Sequence, residues 1–136
     1  MKITLFTVAF MGAILSIPAV AKDEVRNEQV HFERGTNGTT VAGSVKGYAS
    51  INYTLGANSE QSMRVSLEAS NASAYFNIYA PGKGPGDEAM FVGSMGGNSY
   101  VGTTPAKGSY IIQVYLMRNA ARRNETANYK LHIGID

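Results

Sequence analysis

The chain has 136 residues, no cysteine and no tryptophan, and carries 12 Lys and Arg against 10 Asp and Glu, a formal charge of +2. Near-neutrality speaks against a general nucleic-acid binder, which usually shows a dominant basic face. The length suits one domain with a modest core, and the lack of cysteine leaves that core to burial and hydrogen bonding rather than disulfides.

Residues 1–21 read as a signal peptide. Met1-Lys2 gives a short positive start, Ile3 to Ile17 an apolar run, and Ala19-Val20-Ala21 the small-x-small pattern that signal peptidase accepts. The run is too short for a comfortable membrane span of about 20 residues. The expectation is therefore cleavage after Ala21, no membrane insertion of the mature chain, and a single domain over 22–136. Export without cysteine points to a bacterial periplasm.

From there period-2 alternation dominates. Val30 and Phe32 alternate with His31 and Glu33 in an opening strand, and Val41 and Val45 mark a second one interrupted by Gly43. Ile51, Tyr53 and Leu55 share a face, as do Met63, Val65 and Leu67, then Ala74, Phe76 and Ile78. A short strand is expected over Ala89 to Val92. Tyr110, Ile112, Val114 and Leu116 alternate with Ile111, Gln113, Tyr115 and Met117. With both its faces mostly apolar, that strand reads as central and covered on both sides. Tyr129, Leu131, Ile133 and Ile135 close the chain with one wet face. Gly-, Asn- and Pro-rich punctuation separates these runs. The fold class is all-β, a single antiparallel β-sandwich of about 7–9 strands, with at most one helical turn at Arg118 to Asn124.

No catalytic constellation emerges. His31 and His132 read as solvated strand histidines, and without a flanking HxH or HExxH pattern they make a poor metal site. The carboxylates crowd the mature N-terminus or stand alone in turns, unlike a glycosidase pair. Pro81 to Gly86 places Lys83 among glycines, but a phosphate cradle opens a helix, and here a strand follows. Neither an enzyme nor a cofactor is expected.

Surface recognition remains. The segment from Met117 to Glu125 reads MRNAARRNE between two strands. In one helical turn, Arg118 and Arg122 stand at i and i+4 on one face, and the slim Ala120 and Ala121 leave their guanidinium forks uncovered. Such forks suit a partner's carboxylates, although internal pairing with Glu125, Glu68 or loop carbonyls is an alternative. Tyr48 follows Gly47 in a turn-like step and either projects from a loop or forms a structural tyrosine corner.

The segments GSVKGYASINYTL and GSYIIQVYLMRNAARRNETANYKLHI resemble those of the periplasmic inhibitors of g-type lysozyme. These are related to the pre-peptidase C-terminal domains, small β-sandwiches that accompany secreted enzymes. The resemblance spans roughly Val41 to Ile135. It implies a non-enzymatic protein whose partner is a g-type lysozyme. Carried over, Arg118 and Arg122 would enter the lysozyme's substrate cleft together with Tyr48. Arg123 would serve as a flanking contact or as an internal partner of Glu125. The competing reading is a free-standing module that binds peptidoglycan or another glycan through exposed aromatics, which the absence of tryptophan weakens.

Overall fold

A computed structural model describes residues 24–136 and places nine strands in two sheets. The signal-peptide expectation for residues 1–21 lies outside the described residues. The strands are β1 (Val25–Gln29), β2 (Gly38–Lys46), β3 (Ser50–Ala57), β4 (Ser62–Ala69), β5 (Ala74–Tyr79), β6 (Phe91–Val92), β7 (Ser99–Thr103), β8 (Gly108–Leu116) and β9 (Thr126–Ile135). Two short helices interrupt them, α1 (Gly93–Gly96) and α2 (Arg118–Arg122). One sheet has the order β1-β3-β8-β5-β6 and the other β2-β9-β4-β7.

The alternating apolar residues do what their period requires. Ile51, Tyr53 and Leu55 from β3 and Ile112 and Val114 from β8 face Val65, Leu131 and Ile133 of the second sheet, all buried. Each such side chain contributes about 1.5–3 kcal/mol of transfer free energy. Tyr53 and Tyr129 meet across the core with hydroxyls 2.5 Å apart, so each polar tip is satisfied in a dry environment. Burial, and for Tyr129 the bond with Tyr53, raise both phenols above the ordinary value. Gly43 makes room for this pair: a Cβ there would stand 2.5 Å from the Tyr129 hydroxyl. Strand β2 therefore runs through Gly43 rather than stopping at it.

Four features differ from the sequence reading. The opening strand is Val25–Gln29 rather than Val30–Glu33, and it pairs parallel with β3, whereas every other strand pairing is antiparallel. All five residues of β1 are exposed, so no apolar alternation marks them; backbone pairing and a bond from Arg26 Nη2 to the Ser44 carbonyl (3.0 Å) hold the strand. Strand β7 and helix α1 were not expected. Finally, β8 is central, but among the described residues no further layer covers its outer face. Ile111, Gln113 and Tyr115 are half-buried there, and the Tyr115 hydroxyl donates to Asn77 Oδ1 at 2.8 Å.

Candidate functional site

Helix α2 links β8 in the middle of one sheet to β9 inside the other. Its local geometry follows from its sequence. Ala120 and Ala121 turn their methyls into the core and are buried, which fixes the opposite side toward solvent. Arg118 and Arg122 lie on that side, within about 40° of each other around the axis at 100° per residue. The helix ends in a Schellman turn: the Asn124 amide donates to Ala121 O (2.9 Å) and the Glu125 amide to Ala120 O (3.1 Å). Asn124 adopts φ 56°, a left-handed conformation that asparagine tolerates better than most residues.

The three arginines divide into two kinds. Arg123 Nε reaches Glu125 Oε2 at 2.6 Å, and Asn71 Nδ2 donates to the other carboxylate oxygen at 3.0 Å. These contacts, Asn71 first and Arg123 second, hold the Glu125 carboxyl below its usual range. Arg123 is thus the internal partner of Glu125 while its side chain stays largely exposed. Arg118 and Arg122 are exposed, and neither makes an ion pair or a side-chain hydrogen bond among the described residues. Internal pairing of Arg118 or Arg122 with Glu125 or Glu68 does not occur: Glu125 takes Arg123, and Glu68 takes His132 at 2.7 Å.

Tyr48 sits in the tight turn from Lys46 to Ala49, closed by the Ala49 amide on Lys46 O (3.1 Å), with Gly47 at φ 60°. It is 51% exposed, so it projects. The tyrosine corner of this fold is Tyr110 instead, whose hydroxyl donates to Ala106 O at 2.6 Å. The Tyr48 turn and the arginine turn are neighbours. The Gly47 amide donates to Glu125 O at 2.9 Å, and a Cβ on Gly47 would lie 2.7 Å from Asn124 Oδ1. The fold therefore brings Tyr48, Arg118, Arg122 and Arg123 to one end of the sandwich. Lys46 and Arg26 add further exposed cations there, and among the described residues the acids of the same region are Glu125 and Glu24.

The sequence reading missed a hollow beside Arg118. It measures about 360 Å³ and is lined by Ser73, Tyr75, Ser94, Met117, Arg118 and Asn119. The outward parity of Tyr75 on β5, and of Met117 one residue past the end of β8, was the available signal. The other motifs lie apart from this end. His31 is exposed, and His132 is engaged by Glu68 and by Thr40 Oγ1 (2.8 Å) on the outer sheet face. The glycine-rich loop closes on its own acid, the Gly84 amide donating to Asp87 Oδ2 at 2.9 Å. Among the described residues no group of three His, Cys, Asp or Glu could hold a metal ion, and no helix is long and apolar enough to cross a membrane.

Comparison with known proteins gives a consistent set. A curated protein of Escherichia coli (strain K12), the inhibitor of g-type lysozyme, is 30% identical over 111 residues, 81% of either chain. The crystal structure of a periplasmic inhibitor of g-type lysozyme from Aeromonas hydrophila superposes with a TM-score of 0.80 at 38% identity, covering 85% of this chain and 100% of that one. The corresponding protein of Salmonella Typhimurium gives 0.61 at 29% identity, covering 82% and 98%. No family model matches the chain.

Proposed function

This chain belongs to the family of inhibitors of g-type lysozyme, and from that premise we propose that it is a periplasmic, non-enzymatic inhibitor that plugs a g-type lysozyme's substrate cleft with Arg118, Arg122 and Tyr48. The observation that carries the cleft-binding mode is the division among the arginines. Arg123 is consumed by Glu125, while Arg118 and Arg122 are presented side by side with no internal carboxylate.

The energetics favour such a role. An exposed arginine contributes only about 0–1 kcal/mol to its own fold through a surface ion pair. The same guanidinium pressed against carboxylates in a partly dry cleft can contribute several kcal/mol of binding. A lysozyme cleft works through acidic groups, and a planar fork satisfies both oxygens of a carboxylate at once. Tyr48 supplies a large, stiff, half-exposed ring next to the cations, the residue type that together with arginine most often anchors protein interfaces. Arg123 acts as a flanking contact whose main role is to hold Glu125 and the turn. Inhibition then needs no chemistry: the plug excludes peptidoglycan while it is bound.

The test is a stoichiometric lysis assay against g-, c- and i-type lysozymes side by side. Wild-type protein should suppress the g-type enzyme, and the combined change Arg118→Ala and Arg122→Ala should remove most of that suppression without lowering the unfolding midpoint. Undiminished lysis with wild-type protein would exclude the function for those targets, and full inhibition by the double variant would exclude the arginine plug.

A further inference from the structure

We propose that the lysozyme-binding face continues from Arg118 down the outer face of the β5–β8 sheet, and that the hollow beside Arg118 receives an acidic side chain from the rim of the partner's cleft. This rests on the plug reading for the identity of the partner but adds a second point of attachment.

The hollow is built from three elements. Its lining comes from Ser73 and Tyr75 at the start of β5, from Met117, Arg118 and Asn119 at the β8–α2 junction, and from Ser94 of α1. The backbone that carries this lining is tied to β5. The Met117 amide donates to Ser73 O at 2.9 Å, which ties the junction to β5. Gly93 packs so closely on β5 that a Cβ there would collide with the Phe76 carbonyl, and its amide donates to Asn77 Oδ1 at 3.3 Å. Asn77 Oδ1 is the same atom that accepts the Tyr115 hydroxyl. The cavity is therefore preformed, so an incoming side chain has little ordering cost to meet.

Its chemistry selects an anion on an apolar stem. Ser73, Tyr75 and Asn119 each offer a donor, the Ser94 side chain already lies against the Tyr115 hydroxyl, and among the described residues of the lining Arg118 carries the single charge and none is acidic. The Arg118 guanidinium and the Tyr75 hydroxyl have no side-chain hydrogen bond among the described residues, so both are available. Tyr75 and Met117 provide apolar surface for the methylenes of a glutamate. The hollow adjoins Arg118 itself, so an occupant here meets the same partner as the plug, and the excess of cations over acids at this end favours an acidic rim.

Ser94 is exposed, so its replacement tests the proposal with little risk to the fold. Ser94→Trp, which fills the hollow, should raise the concentration giving half-inhibition at least tenfold. Ser94→Lys, which adds a second cation, should lower it about threefold, and that gain should shrink in high salt. Ser109→Trp, at the opposite end of β8, should change nothing. No effect of Ser94→Trp would overturn the proposal. An unchanged or weakened Ser94→Lys protein would overturn the acidic occupant. The plug fails separately, if the Arg118/Arg122 double variant still inhibits.

Discussion

Replacing Gly47 by alanine should loosen the contact that sets Tyr48 against the arginine turn. Gly47 sits at φ 60°, where an alanine costs about 1 kcal/mol relative to glycine. The new Cβ would also meet Asn124 Oδ1 at 2.7 Å, below any ordinary contact. The asparagine tip can yield by leaving its rotamer, at about 0.5–1.5 kcal/mol. The sum is about 2 kcal/mol, which for a domain of this size lowers Tm by roughly 8–12 °C. Asn124→Gly removes the obstructing oxygen and suits φ 56°, and the next neighbour, Ala121 O at 3.7 Å, is an ordinary contact. The double variant should therefore recover about half of the loss, leaving only the backbone strain of an alanine in the left-handed region. Urea unfolding of the wild type, both singles and the double measures this. Under the proposed plug, Gly47→Ala should also inhibit lysozyme less at 25 °C, because Tyr48 is displaced. A Gly47→Ala protein as stable as wild type, or a double variant no more stable than that single, would refute the claim that the two turns lock at this contact.

Three further outcomes follow from the core and the turn. Gly43→Ala places a methyl 2.5 Å from the Tyr129 hydroxyl and 3.1 Å from that of Tyr53, and should destabilise by about 1–3 kcal/mol in urea unfolding. Tyr129→Phe strands the buried Tyr53 hydroxyl and should cost about 1–3 kcal/mol, whereas Tyr53→Phe with Tyr129→Phe should cost less than the two singles added, because no orphan remains. Glu125 has a folded pKa below its ordinary value of 4.5, so its contribution is present above that pH and is lost as the pH falls through the lower folded value. Glu125→Gln should therefore show a shallower loss of Tm on acidification than wild type. Part of that acid limb should persist, since His132 holds Glu68 down in the same sense.

The legible parts of the fold are those where one face is dry. Strands β3, β4, β5, β8 and β9 alternate because their inward residues are buried, and Tyr53, Tyr110 and Tyr129 point inward as their parity requires. Strand β1 is not legible, because VRNEQ buries nothing and is held by backbone bonds that leave no mark on side-chain choice. Strand β7 escapes for the opposite reason: Val101 faces out at 70% exposure, while the inward positions hold Tyr100 and a glycine. Helix α1 is a single turn of GSMG set by the close approach of Gly93 to Phe76, a tertiary contact without a local period. For the candidate site, the helical turn and the shared face of Arg118 and Arg122 could be read from spacing, but not that Arg123 rather than either of them takes Glu125. The adjacency of Gly47 and Asn124 could not, because residues so far apart in sequence meet only through the topology.

That topology explains why this end of the sandwich can carry charged side chains on a fixed backbone. Both turns cross between sheets: Lys46 to Ala49 leads from β2 to β3, and α2 leads from β8 to β9. A hairpin tip beyond a sheet would be free to fray, but these crossings close the top of the core, with Ala120 and Ala121 packed beneath. The Gly47–Glu125 hydrogen bond then joins one crossing to the other. Fixing a backbone residue costs about 1–2 kcal/mol, and here folding has already met that cost for both turns. In the proposed plug, binding would still have to order the side chains of Arg118, Arg122 and Tyr48, and a tyrosine, with only two rotatable angles, is the least costly of the three. On that reading the scaffold would leave most of each guanidinium–carboxylate interaction available as affinity, which a mobile loop bearing the same residues would spend on its own ordering.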